Sequence, residues 1–157
     1  MTKDFHTFRE YMRKDDDLLT ASMEDYLEMI YRLSRDTGFT RIHDLAAALN
    51  VQPPSATKMV QRLAELGVIN YEKYGMIILN KKGEELGGAL LERHRIIEDF
   101  LRLLGITRGV LEETEKIEHT ISTETLNCLA DFVAFCKNRP DVIQEFAAYR
   151  KAKGRPG

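Results

Sequence analysis

RIHDLAAALNVQPPSATKMVQRLAEL, residues 41–66, is the stretch whose reading decides the fold. Leu45, Leu49, Val51, Ala56 and Met59 follow the apolar spacing of two short helices joined by a tight turn. Ala46 and Ala47 are small enough to let the helices cross closely, and Asn50 tolerates the backbone of the turn. Pro53 and Pro54 are acceptable only in a first helical turn, so they start the second helix. That helix should bury Ala56, Met59, Val60 and Leu63. Its opposite face carries Pro54, Lys58 and Gln61, flanked by Ser55, Thr57 and Arg62. Hydroxyls, an amide and cations on an exposed face are the groups that reach base edges and phosphates of duplex DNA. An ordinary polar surface on a helical hairpin is the competing reading. The next twelve residues favour DNA: Val68 to Tyr71 and Met76 to Leu79 read as short strands around Lys73-Tyr74-Gly75. A helix-turn-helix followed by a hairpin is a winged helix, with Lys73 at the wing tip able to touch phosphate.

Upstream, a helix is predicted from about Ser22, as N-cap, to Arg35, with Glu24 and Asp25 at its positive end and Gly38 beyond its close. Tyr26, Leu27, Ile30 and Leu33 form its buried stripe, and Asp25 and Glu28 sit beside it at i and i+3. Residues 1–19 form a polar arm in which Phe5, Phe8 and Met12 suggest a short amphipathic helix ended by Asp15-Asp16-Asp17. Downstream, a long helical pattern runs from Lys81 to Leu104 through Gly87 and Gly88, and Gly105 stops it. Leu90, Ile97, Leu101 and Leu104 line one face, with His94 among them. Leu126, Leu129, Ala130, Phe132, Val133 and Phe135 make a thickly apolar helix from Thr123 to Lys137. Pro140 starts a last helix to about Tyr149, and the basic tail after it reads as disordered.

Between the long helix and the apolar one lies Glu115-Lys116-Ile117-Glu118-His119. On a helix Glu115, Glu118 and His119 fall at i, i+3 and i+4 and project from one face, while Ile117, Val110 and Ile121 give it an apolar back. A solvated charged face gives the same pattern. Taken with Asp25, Glu28 and His94, however, the triplet completes a set of four carboxylates and two imidazoles with no thiolate. Such a set suits manganese or ferrous iron better than copper, and lacks the sulfur typical of structural zinc. Four negative charges would balance two divalent cations.

The 157 residues suffice for one ordinary domain or two small ones. Apolar and charged fractions are those of a soluble globular protein. No apolar run is long enough to span a bilayer, and the charged start MTKDFHTFREYMRKDDD is not a secretory signal. Cys128 and Cys136 would share a face of one helix, too far apart to bridge, which fits a reducing cytoplasm. Net charge is −2, yet Thr40 to Lys82 is locally basic through Arg41, Lys58, Arg62, Lys73, Lys81 and Lys82, which leaves nucleic acid open as a partner.

The segments Ser22-Met23-Glu24-Asp25-Tyr26-Leu27-Glu28, Ala56-Thr57-Lys58-Met59-Val60-Gln61, Tyr71-Glu72-Lys73-Tyr74 and Ile117-Glu118-His119 closely resemble the diphtheria toxin repressor family, in its manganese-responsive branch. The likeness covers roughly Ser22 to Phe135 in matching order. It implies a mostly α protein: an extension (1–20), a winged helix-turn-helix domain (21–86) and an all-helical metal-binding and dimerisation domain (87–157). It also implies a cytoplasmic homodimer, not an enzyme and without a membrane partner, that represses metal-uptake genes on operator DNA. Its metal ligands would be Asp25, Glu28, His94, Glu115, Glu118 and His119, holding two manganese ions per subunit, with ferrous iron as the other candidate. The iron-responsive branch has methionine at the position of Asp25 and cysteine at that of Glu115. This chain departs from its nearest likenesses at Thr120, where a second histidine is common, and in its longer N-terminal arm.

By this reading, metal held by both sets of ligands ties the two halves in one orientation. In a two-fold dimer that orientation sets the spacing of the recognition helices against major grooves ~34 Å apart or a multiple. The alternatives are an iron-responsive regulator of the same family and a winged-helix regulator answering an organic ligand. A binuclear carboxylate enzyme would want Glu-x-x-His pairs on two helices, and Glu115 is followed three residues later by Glu118 instead.

Overall fold

The computed structural model describes residues 19–155; the helix anticipated around Phe5, Phe8 and Met12 lies outside them. The described chain is mostly helical with one small antiparallel sheet, and it divides into two compact units that meet in sequence between Leu91 and Glu92.

In the first unit, α1 (Ala21–Ser34) is capped by the Thr20 hydroxyl, which accepts from the Met23 amide at 3.2 Å. The cap is therefore Thr20 rather than the expected Ser22, which is exposed inside the first turn. Strand β1 (Thr40–Arg41) leads into α2 (Ile42–Leu49). Asn50 ends α2 in the left-handed region at φ 54°, a conformation its short polar side chain tolerates. Next, α3 (Pro53–Glu65) begins on its two prolines, whose fixed φ suits a first turn. Of the alanines expected between the helices, Ala46 is buried but Ala47 is exposed. Strands β2 (Ile69–Tyr71) and β3 (Met76–Leu79) flank a short 3-10 turn, Lys73–Gly75. The sheet order is β1-β3-β2, so the hairpin gains a third strand through Thr40↔Ile77 and Arg41↔Met76.

The core of this unit gathers Leu27, Ile30, Leu45, Ala56, Val60, Leu63, Val68 and Ile77, with Leu86 and Leu90 from the start of α4 (Lys81–Leu103). Met59 and Leu33, expected in the core, pack at its edge half-buried. Gly83 and Gly87 keep α4 regular because a side chain there has no room. A Cβ at Gly83 would stand 1.9 Å from the Val68 carbonyl oxygen, and one at Gly87 2.8 Å from Tyr31 Cβ.

In the second unit, α5 (Val110–Glu118), α6 (Thr123–Lys137) and α7 (Pro140–Ala152) follow the remainder of α4. Ser122 caps α6, accepting from the Thr125 amide at 3.2 Å. The last helix runs to Ala152, beyond the expected end at Tyr149, so Arg150, Lys151 and Ala152 are ordered helix and not tail. Ile97, Leu101, Val110, Leu126 and Val133 are buried, and Phe100 meets Phe132 edge-on at 6.1 Å. Cys128 is exposed and Cys136 buried on α6, and both are free thiols. No helix among the described residues is long and apolar enough to cross a membrane.

Candidate metal centre and nucleic-acid interface

The second unit contains a cluster of charged side chains in its interior. Helix α4 turns His94 inward, and Glu118, which ends α5, is only 3% exposed. His94 Nδ1 lies 3.1 Å from Glu118 Oε2, and His119 Nε2 lies 3.6 Å from Glu118 Oε1. The carboxylate thus stands between two imidazoles. His119 caps α5 rather than extending it, because the chain turns at this point into the approach to α6.

Two residues not anticipated as members belong to the cluster. Glu98 Oε2 is 3.4 Å from His94 Nε2, so both ring nitrogens of His94 face carboxylates. Its spacing of four from His94 on one helix was the available signal. Arg93, itself buried, brings Nη2 to 3.4 Å from His119 Nδ1. Arginine has only donors, so Nδ1 accepts there; nothing in the local sequence announces a buried guanidinium. Glu115, one turn ahead of Glu118, is exposed.

On the first unit, Asp25 and Glu28 both project from α1, Asp25 exposed and Glu28 half-buried, with Glu28 Oε2 3.1 Å from Arg32 Nη2. On α3, Pro54, Ser55, Lys58, Gln61 and Arg62 are all exposed, opposite the buried Ala56, Val60 and Leu63. Thr57 is half-buried and donates its hydroxyl to the Pro53 carbonyl at 3.0 Å, so its hydrogen is directed to its own helix. Lys73 is exposed in the turn between β2 and β3.

The donor chemistry fits a divalent cation. Oxygen and imidazole nitrogen converge, and neither cysteine joins a cluster of donors among the described residues, which matches the preferences of harder divalent ions. Burying the Glu118 carboxylate would cost several kcal/mol, on the order of the penalty for any buried ion, unless positive charge answers it.

Comparison with known proteins agrees. The iron dependent repressor N-terminal DNA binding domain matches residues 18–77, and the iron dependent repressor metal binding and dimerisation domain matches residues 80–147. An HTH-type transcriptional regulator MntR from Lysinibacillus sphaericus is 42% identical over 130 residues, covering 82% of this chain and 94% of that protein. A regulator of the same name from Bacillus velezensis is 37% identical over 141 residues, covering 89% and 99%. Among solved structures, the manganese regulator SloR has TM-score 0.65 and 33% identity, over 74% of this chain and 55% of that one. A manganese-dependent transcriptional repressor in complex with manganese has TM-score 0.65 and 27% identity, over 72% and 53%. The chain thus spans about half the length of these two solved chains. The expected winged helix, the helical second domain and the metal-type cluster meet in one assignment: the chain belongs to the iron-dependent, or diphtheria toxin, repressor family of metal-responsive DNA-binding transcriptional regulators.

Proposed function

We propose that this chain is a manganese-responsive repressor of metal-uptake genes, acting in the cytoplasm as a homodimer on operator DNA. The observation that carries the reading is Glu118, a buried carboxylate with an imidazole at each oxygen. His94, Glu118 and His119 are proposed ligands, joined by Asp25, Glu28 and Glu115. Four carboxylates would balance two manganese ions per subunit. Asp25 and Glu115 offer hard oxygen, and manganese, the weakest binder of the divalent first-row series, needs oxygen donors to compete. The names of the MntR relatives, of the solved manganese regulator SloR and of the manganese-dependent repressor in complex with manganese support the same choice. Ferrous iron is the second reading, favoured by the iron in the family's own description.

The bound cations would supply positive charge and a fixed coordination geometry to these side chains. His94 and Glu118 hold each other in place at 3.1 Å, so one ligand pair is oriented in advance. Pro54, Ser55, Thr57, Lys58, Gln61 and Arg62 present the DNA-reading face, with Lys73 reaching phosphate beside it. The exposed aromatic rings Phe132 and Phe135 on α6 support a second copy as the partner of that unit, because contiguous apolar surface marks association sites. The experiment is operator binding measured by fluorescence anisotropy with manganese, ferrous iron, zinc, calcium and no metal. Binding that strengthens with manganese supports the reading; affinity equal in all five would overturn it.

A further inference from the structure

Tyr74 occupies a position in the wing where folding alone would choose another residue. It sits in the turn between β2 and β3 with φ 70° and ψ 16°, a left-handed conformation that costs a non-glycine residue about 1 kcal/mol or more. Asn50, the other described non-glycine residue at positive φ, is short, polar and tolerant of it. Tyrosine is neither short nor tolerant, and its side chain recovers nothing by burial, since the residue is 90% exposed. Glycine follows at Gly75 with φ 76°, so the turn has no need of tyrosine to close.

The conformation is nevertheless secured from behind. Arg41 of β1 donates from Nη1 to the Tyr74 carbonyl oxygen at 2.6 Å, and its guanidinium lies 5.6 Å from the centre of the Phe39 ring. Its own backbone is fixed by pairing with Met76 of β3. The two-residue strand β1 therefore has a visible task. It carries a side chain that clamps the wing tip and leaves the tyrosine standing outward next to Lys73.

We propose that Tyr74 is a DNA-contacting residue, its ring lying against the sugar–phosphate backbone of the operator and its hydroxyl donating to a phosphate oxygen, and that Arg41 is the positioning residue that presents it. Phenol hydroxyls are among the side-chain groups that bind DNA phosphates, and the ring supplies apolar area at low entropic cost. The inference rests on the DNA-binding assignment of the winged unit and extends its contact surface beyond Lys73.

The test compares wild type, Tyr74→Gly, Tyr74→Phe and Lys73→Ala on one operator fragment with saturating manganese, across a range of salt. Tyr74→Gly relieves the left-handed strain, so its thermal midpoint should not fall while operator affinity drops about 5- to 10-fold, the net size of one lost hydrogen bond. The slope of log affinity against log salt should stay unchanged, because no charge is removed, whereas Lys73→Ala should reduce it by about one. Tyr74→Phe should lose less. Arg41→Gln should weaken binding in wild type and add nothing in the Tyr74→Gly background, with Arg41→Lys restoring part of the loss. Equal affinity of wild type and Tyr74→Gly at every salt concentration overturns the proposal and leaves the repressor reading standing. Failure of wild type to bind any DNA overturns both.

Discussion

The first unit closes around Leu27, Ile30, Leu45, Leu63 and Ile77, with Ser34 and Thr40 as its buried polar residues among those described, whereas the second places Arg93, His94, Thr114 and Glu118 inside beside Ile97 and Leu126. The aliphatic interior needs nothing further, since burying apolar area is favourable in itself. The charged interior carries a desolvation cost that opposite charge must offset, and the same unit leaves Phe132 47% and Phe135 50% exposed. A unit built this way is suited to answer something outside itself, a cation within and a second copy without. A unit built like the first is suited to hold a reading surface still.

That contrast can be broken at several points. The largest effect should come from Ile77→Ala, which opens a cavity in the aliphatic interior and should cost about 2–5 kcal/mol of stability, read from the denaturant midpoint. A loss under about 0.5 kcal/mol, the size of an ordinary surface change, would mean that this core is not what holds the first unit. Next is Glu118→Gln, which keeps the shape of the buried cluster and removes its charge. It should abolish the metal-dependent gain in operator affinity, a coupling of about 1–3 kcal/mol or ~5–150-fold, and leave the metal-free affinity as it was. Retained manganese response in this variant would move the centre elsewhere. Smaller again, Lys58→Ala should weaken operator binding by roughly 1 kcal/mol with manganese binding intact. A loss equal on all sequences marks a phosphate contact, relaxed base preference a groove contact, and no change at all the wrong helix face. The finest effect is Asp25→Met, which replaces hard oxygen by sulfur and should broaden the response toward ferrous iron. Anaerobic operator titrations with manganese and iron would read it, and an unaltered preference would make Asp25 a helix-terminal acid only.

How much of this was legible in the sequence varies by element. Helix α6 runs Thr123–Lys137 as its apolar spacing requires, and Pro53 marks the start of α3 because proline suits few other helical positions. The cap of α1 was misplaced, since Thr20 and Ser22 carry the same chemistry two residues apart. Strand β1 escaped notice because two residues, Thr40 and Arg41, hold no period. Only their register against Ile77 and Met76 makes them a strand. In the cluster, His94 and Glu118 were legible by residue type and were found side by side. Arg93 and Glu98 were not, because a charged residue on a long polar helix reads as solvated until the packing shows which way it turns. Tyr74 passed as an ordinary turn residue, because left-handed backbone cannot be read from a tyrosine.

A metal-responsive repressor of this kind requires that metal held by the charged cluster and DNA held by the winged unit be thermodynamically coupled. Coupling of binding free energies is reciprocal, so manganese affinity should be measured by calorimetry or electron paramagnetic resonance with and without saturating operator. The account predicts that operator DNA tightens manganese binding by the same factor, within ~5–150-fold, by which manganese tightens operator binding. A manganese affinity that operator DNA leaves unchanged would contradict it.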